Sequence, residues 1–168
     1  PDTALHSPLI ILIESLINRN KFPPLNLPPY AAKVRSVNQQ IQIFDRFRKK
    51  YLTLTPEEWV RQHYANYLVK EKSIPESRLM LESEIKYGKV SKRPDIIVVD
   101  PNNLVFLIVE CKASEVKLDQ SVYDQTITYA SVLEPKYLAL TNGFKHIYFQ
   151  FQPETKNFVS IVDIPCLV

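Results

Sequence analysis

The residues best suited to chemistry lie within residues 93–113, which read RPDIIVVDPNNLVFLIVECKA. Two apolar, β-rich runs are joined by a Pro-Asn-Asn turn, with Asp95 opening the first run and Glu110, Cys111 and Lys112 closing the second. Successive side chains of a strand point to opposite faces, so Glu110 and Lys112 share a face that Cys111 does not. The turn predicts a hairpin that brings Asp95 beside Glu110.

Two carboxylates that converge at the end of a buried sheet are costly unless a cation neutralises them. A hard divalent ion with oxygen ligands is the natural partner, so Asp95 and Glu110 form a candidate metal-dependent phosphodiesterase site. The alternative is that both carboxylates merely end strands and pair with Lys112 or Arg93.

Composition and length predict one compact globular domain, because 45% of the 168 residues are apolar and only two are glycine. Neither Gly88 nor Gly143 belongs to a phosphate-binding loop, so no ATP site is expected in this chain. Cys111 and Cys166 are too few for a disulfide framework, which favours a cytoplasmic protein. The net charge of +3 is weak evidence for nucleic-acid binding.

The N-terminal part divides into an apolar segment and a proline-rich one. Residues 8–17 are too short for a membrane span and predict a short amphipathic helix, so no membrane partner is expected. Residues 21–30, KFPPLNLPPY, predict a linker or extended arm. We therefore assign residues 1–30 to a helix and arm, and residues 31–168 to the domain.

The rest of the chain predicts an α/β fold. A hairpin is expected within residues 31–54, followed by a helix that Thr55 caps and that runs to about Lys72, with Glu58 completing a capping box. Further strands are expected at residues 79–87, in the two motif runs, and in YLALTN, HIYFQF and FVSIVDI after a helix over residues 118–133 that Asp119 caps. A helix that crosses between strands usually makes a parallel pair, so the sheet should be mixed.

This order of elements, with Pro94-Asp95 followed by Glu110-Cys111-Lys112, resembles the PD-(D/E)xK nuclease superfamily. More narrowly, residues 44–69, 124–130 and 138–143 resemble the N-terminal nuclease domain of type I restriction enzyme R subunits. The resemblance implies a restriction-endonuclease-like mixed β-sheet flanked by helices. It also implies a metal-dependent DNA endonuclease domain; the alternative is a catalytically inactive nuclease fold used for DNA binding or complex assembly.

The resemblance also implies roles for the motif residues. Asp95 and Glu110 would hold Mg²⁺ (or Mn²⁺), with the backbone carbonyl of Cys111 as a third ligand. Lys112 would orient the attacking water or offset negative charge in the transition state.

Three further positions match features of that family. Gln125 and Tyr129 match its QxxxY element and share a helix face, so they either act beside the metal site or are an ordinary surface Gln and core Tyr. Glu82 would be an outer metal ligand, although a solvated acidic edge formed with Glu84 explains it nearly as well.

The basic and aromatic run FDRFRKKY, residues 44–51, is the best candidate for DNA contacts, because Lys and Arg neutralise phosphates. A solvated charged face is the alternative. The predicted DNA-binding residues are Arg46, Arg48, Lys49, Lys50, Lys92 and Arg93. The partners implied by the resemblance are double-stranded DNA and the helicase motor, methyltransferase and specificity subunits of a restriction complex.

Overall fold

The computed structural model describes the backbone of residues 21–87 and 90–167, and their side chains except those of residues 85–87, 90–92, 129, 131 and 132. The amphipathic helix predicted within residues 8–17 lies outside the described residues. Neither described helix is long and apolar enough to cross a bilayer.

A small antiparallel sheet opens the domain. Its strands are β1 (Val34–Val37), β2 (Gln40–Asp45) and β3 (Lys50–Thr53). Asn38 and Gln39 both have positive φ angles, as a two-residue hairpin turn requires. The hairpin predicted within residues 31–54 is confirmed, and the basic run that follows it forms the turn into a third strand.

Helix α1 (Pro56–Lys70) begins where the sequence predicts. The Thr55 hydroxyl accepts a hydrogen bond from the Glu58 N–H at 3.0 Å, and proline occupies the first helical position. Val60 and Tyr64 on one side of the helix join the main core, while Trp59 packs against the small sheet. The helix therefore fastens the two sheets to each other.

The main sheet has six strands, namely β4 (Leu79–Leu81), β7 (Ile96–Val99), β8 (Val105–Cys111), β9 (Tyr137–Thr141), β10 (His146–Gln152) and β11 (Asn157–Ile161). Their order in the sheet is β11-β10-β9-β8-β7-β4. Strands β5 (Ile85–Tyr87) and β6 (Val90–Lys92) form a separate two-stranded antiparallel sheet. The prediction of one strand over residues 79–87 is wrong. Glu82 has a φ of 46°, a left-handed conformation that ends β4 and separates it from β5.

A single parallel pair, β8 with β9, makes the six-stranded sheet mixed, as predicted. Helix α2 (Gln120–Leu133) makes the crossover, and the Asp119 carboxylate caps it by accepting the N–H groups of Ser121 and Val122. Ala130 of α2 packs on Ile108 and Leu138, whereas Leu107 and Val109 face the core that α1 completes. The described part of the chain is therefore an α/β sandwich with one helix on each face of the main sheet.

The proline-rich arm lies on the domain. The Asn26 N–H donates to the Gly143 carbonyl at 2.8 Å, and the Trp59 indole N–H donates to the Pro23 carbonyl at 3.0 Å. Gly143 has a φ of +84°, and a Cβ added there would lie 2.7 Å from the Leu25 Cδ2 atom. The arm is thus extended and packed against the turn that follows β9.

We expect Gly143→Ala to reduce the free energy of unfolding by about 1–3 kcal/mol, because alanine is strained at positive φ and its methyl group overlaps Leu25. Chemical denaturation of the variant and of Leu25→Ala measures the loss. In the double variant the two losses should not add, since removing the Leu25 side chain relieves the overlap. Unchanged stability of Gly143→Ala would contradict this account of the turn.

Candidate active site

The two motif carboxylates are cross-strand neighbours at one end of the main sheet. Strands β7 and β8 pair Ile96 with Val109, so the next pair along is Asp95 and Glu110. Asp95 is 7% exposed and Glu110 is 5% exposed, and Asp95 Oδ2 accepts the Cys111 backbone N–H at 2.6 Å. The structure therefore brings together two buried acids at the end of an apolar strand.

Lys112 completes the group on the Glu110 side. Its ammonium donates to Glu110 Oε1 at 2.8 Å and to Gln125 Oε1 at 3.1 Å. Strand alternation places Lys112 on the Glu110 face, and α2 supplies Gln125 from above that face. Gln125 thus holds the lysine near Glu110. The side chain of Tyr129 lies outside the described residues, so its predicted role stays a prediction.

The pKa values of the motif residues are shifted because two carboxyl groups lie side by side in a buried position. Burial, and then the charge of Asp95, raise the pKa of Glu110 to about 7, against the lowering effect of Lys112. Burial also raises the pKa of Asp95, although the Arg61 charge and the Cys111 N–H oppose the rise. The pKa of Lys112 is raised. Burial alone would lower it, but the hydrogen bond to Glu110 and the charges of the nearby carboxylates have the larger effect. Glu110 is therefore the member of the pair that takes up a proton near neutral pH.

Cys111 lies between Glu110 and Lys112 in sequence but faces the other way. Its side chain is fully buried in the main core with Leu107 and Val109, and burial raises the thiol pKa well above its ordinary value. A buried neutral thiol is a poor nucleophile, so only the backbone of Cys111 is available to the site.

Arg61, from the second turn of α1, anchors Asp95. Its Nε and Nη2 atoms donate to Asp95 Oδ1 at 3.0 and 2.6 Å, Nη2 also reaches Glu57 at 2.8 Å, and Nη1 bonds Glu58. Sequence reasoning did not identify this residue. The available signal was the spacing of Glu57, Glu58 and Arg61, which puts them on one helical face.

Arg48 extends the same ion network into the small sheet. It bonds Asp45 and Glu82, and its Nη2 donates to Glu58 Oε1 at 2.7 Å. The Glu58 carboxylate therefore joins two arginines instead of closing the predicted capping box. Glu82 also lies 3.4 Å from Arg61 Nη1, so its side chain faces the arginines, and its role as an outer metal ligand stays a prediction.

The predicted DNA contacts fall into different environments. The Arg48 side chain is 13% exposed and held by three carboxylates, which does not fit a phosphate contact. The Arg46 side chain is 32% exposed and pairs with Glu76 at 3.2 Å. Lys49, Lys50 and Arg93 are exposed. The side chain of Lys92 lies outside the described part of the chain.

The donor set suits a hard cation only in part. Among the described residues, no group of three or more His, Cys, Asp or Glu side chains is arranged to hold a metal ion. Asp95 and Glu110 offer two carboxylates, and Mg²⁺ commonly binds through one or two carboxylates while keeping several waters. The chemistry of this pair therefore fits Mg²⁺ or Mn²⁺ with water or phosphate as further ligands.

We expect Arg48→Gln to lower the free energy of unfolding by about 3–5 kcal/mol, because it leaves buried carboxylates without their cation. The control is Lys49→Gln, which removes a neighbouring exposed charge and should change stability by less than about 0.5 kcal/mol. Denaturation curves of both variants make the comparison. Equal effects would mean that Arg48 is a surface residue after all.

Stability should depend on pH through Glu110 when no divalent cation is present. The pKa of Glu110 is raised to about 7 in the folded protein, so its contribution to stability is present at low pH and is lost as pH rises through that value. The free energy of unfolding is measured in chelator for the wild type and for Glu110→Gln, which does not titrate at this position. The value for the wild type minus the value for the variant should fall by about 2 kcal/mol between pH 5 and 8. A difference that stays flat over this range would exclude a raised pKa.

Comparison with known proteins gives a family. The sequence profile of the type I restriction enzyme R protein N terminus (HSDR_N) matches residues 56–165. No curated protein sequence matches the chain. Among solved structures, a fragment assigned to an HsdR subunit of a type I restriction enzyme from Vibrio vulnificus YJ016 is similar, with 20% sequence identity and a TM-score of 0.46. The alignment covers 65% of this chain and 23% of that one, so this chain spans about a quarter of that fragment's length.

The profile match extends over well over half of the sequence and includes both motif strands. The chain therefore belongs to the family of type I restriction enzyme R protein N-terminal domains.

Proposed function

We propose that this chain is a metal-dependent deoxyribonuclease domain that hydrolyses phosphodiester bonds of double-stranded DNA within a type I restriction complex. The observation that carries the proposal is the buried pair of Asp95 and Glu110 beside the Lys112 ammonium, which donates to Glu110 at 2.8 Å. Membership of the R-protein family supports a role in restriction. The proposed partners are a helicase motor, a methyltransferase and a specificity subunit, and the proposed location is the cytoplasm.

Asp95, Glu110 and the backbone carbonyl of Cys111 would hold Mg²⁺ or Mn²⁺. Such an ion, when bound, would neutralise charge on the scissile phosphate and lower the pKa of a bound water. Arg61 fixes Asp95 by two bonds to one oxygen, and the Cys111 N–H fixes the other oxygen. The remaining lone pairs of Asp95 are thereby kept in a constant direction.

Lys112 would act on the phosphate in this proposal. The lysine side chain is 18% exposed, so its ammonium reaches the rim of the site while Glu110 stays buried. A cation at that position would orient an attacking water or stabilise charge that develops on the phosphate oxygens. Gln125, at 3.1 Å, holds the ammonium in place and is a positioning residue in this proposal.

A second candidate is an inactive nuclease fold that binds DNA or assembles the complex. One observation favours it: Arg61 and Lys112 already provide cations for Asp95 and Glu110. In that case the ion pairs would satisfy both carboxylates without a metal, and the site would be structural.

Nicking of supercoiled plasmid in Mg²⁺ or Mn²⁺, against chelator, tests the proposal. Asp95→Ala, Glu110→Gln and Lys112→Ala should each lower the nicking rate by at least about 100-fold, the size expected for losing a group that stabilises transition-state charge. The control is Glu154→Gln, which removes an exposed carboxylate in the turn between β10 and β11 and should leave the rate unchanged.

Each variant should keep a cooperative thermal transition, which separates lost chemistry from lost folding. Nicking that persists in all three variants would refute the site. A wild-type protein that binds DNA but does not nick it with either metal would favour the inactive module.

A further inference from the structure

Positive charge is concentrated in the N-terminal part of the described chain. Residues 21–54 contain seven Lys and Arg residues and one acidic residue, Asp45, although the whole chain carries a net charge of only +3. Asp45 is completely buried and bonded to Arg48. The exposed surface of the small sheet therefore has no acid of its own to offset its cations.

The two faces of the small sheet carry different types of side chain. Val34, Ile43 and Leu52 are paired across the three strands, and Val34 and Ile43 belong to the cluster that includes Trp59 of α1. Side chains one position along point to the opposite, outer face. That outer face is formed by Lys33, Arg35, Gln42, Phe44, Tyr51 and Thr53.

Two cations on the outer face are held against aromatic rings. The Arg35 guanidinium carbon lies 3.7 Å from the centre of the Tyr51 ring, and the Lys33 ammonium lies 5.3 Å from the centre of the Phe44 ring. The rings themselves are 5.2 Å apart. Both cationic residues are exposed although they rest on this aromatic pair.

Arg35 is also fixed in orientation. Its Nε atom donates to Gln42 Oε1 at 2.8 Å, and within the described residues its two terminal nitrogens have no protein acceptor. A guanidinium held flat on a ring, with its terminal N–H groups free, is preorganised to bind a phosphate through two hydrogen bonds. Less side-chain entropy is lost on binding than for a mobile surface arginine.

We propose that this outer face, defined by Lys33, Arg35, Phe44 and Tyr51, binds the sugar-phosphate backbone of duplex DNA. The inference rests on the proposed function for the choice of DNA as the polyanion. Complementary charge supports it, because cations without neighbouring acids release counterions from DNA phosphates on contact.

The face is joined to the site by a continuous series of contacts. The turn between β2 and β3 carries Arg48, which bonds Glu58, and Glu58 bonds Arg61, which holds Asp95. Every contact in this series is a buried or half-buried ion pair. DNA bound to the small sheet is thereby held at a constant position relative to Asp95, and this face contributes affinity while the motif residues contribute chemistry.

The test measures binding of a labelled DNA duplex by fluorescence anisotropy over a series of salt concentrations, in chelator so that no cleavage occurs. The full chain carrying Lys33→Gln and Arg35→Gln should bind about tenfold more weakly, and its slope of log affinity against log salt should be shallower by about two, one unit for each lost phosphate contact. The matched control carries Lys136→Gln and Lys156→Gln, two exposed lysines at the other end of the main sheet, and should behave as wild type.

Arg35→Lys provides a second readout. It keeps the charge and removes the planar fork, so it should leave the salt slope unchanged and weaken binding at every salt concentration. An unchanged slope in the Lys33 and Arg35 double variant, with wild-type thermal stability, would overturn the proposal. Displacement of the duplex by polyglutamate at equal charge would overturn the choice of DNA.

The outcomes separate this inference from the proposed nuclease activity. If the double variant has a shallower slope but the wild type does not nick plasmid, the binding face is supported and the nuclease activity is refuted. If the wild type nicks plasmid but the double variant keeps the wild-type slope, the nuclease activity is supported and the binding face is refuted.

Discussion

The Arg61 guanidinium, enclosed between the first turn of α1 and the start of β7, is the contact on which the arrangement of the site depends. Its side chain is 4% exposed and reaches Glu57, Glu58 and Asp95. A buried cation of this kind is expensive to desolvate and is stable only while its acceptors stay in place. The helix, the small sheet and the motif strand are consequently fixed to one another by charge as well as by apolar packing.

The ion network around Arg61 contains more carboxylates than cations. The network and the motif contain three cations, Arg48, Arg61 and Lys112, and six carboxylates, Asp45, Glu57, Glu58, Glu82, Asp95 and Glu110. At the end where Asp95 and Glu110 meet, burial and then the charge of Asp95 raise the pKa of Glu110. A proton on Glu110 relieves its repulsion from Asp95, and the proposed metal ion would relieve the same repulsion.

How much could be predicted from sequence depended on the range of the interactions. Asp95 and Glu110 could be placed together because strand alternation and a hairpin turn are local, and α1 and α2 begin at caps that a few residues encode. The partners of Arg48 could not be predicted, because its run is basic locally while Glu58 and Glu82 lie 10 and 34 residues away. Nothing in residues 79–87 signals that Glu82 adopts a positive φ, so the break between β4 and β5 was missed. The aromatic support of Arg35 likewise depends on the register of β1, β2 and β3, which composition does not reveal.

The docked arm has a consequence for folding kinetics. The hydrogen bond from the Asn26 side chain to the Phe144 carbonyl joins residues 118 positions apart in the chain. Closing so long a loop costs entropy, so we expect this contact to form after the β9–β10 turn has folded. We expect the amides of this segment to exchange with solvent hydrogen sooner than those of the central strands.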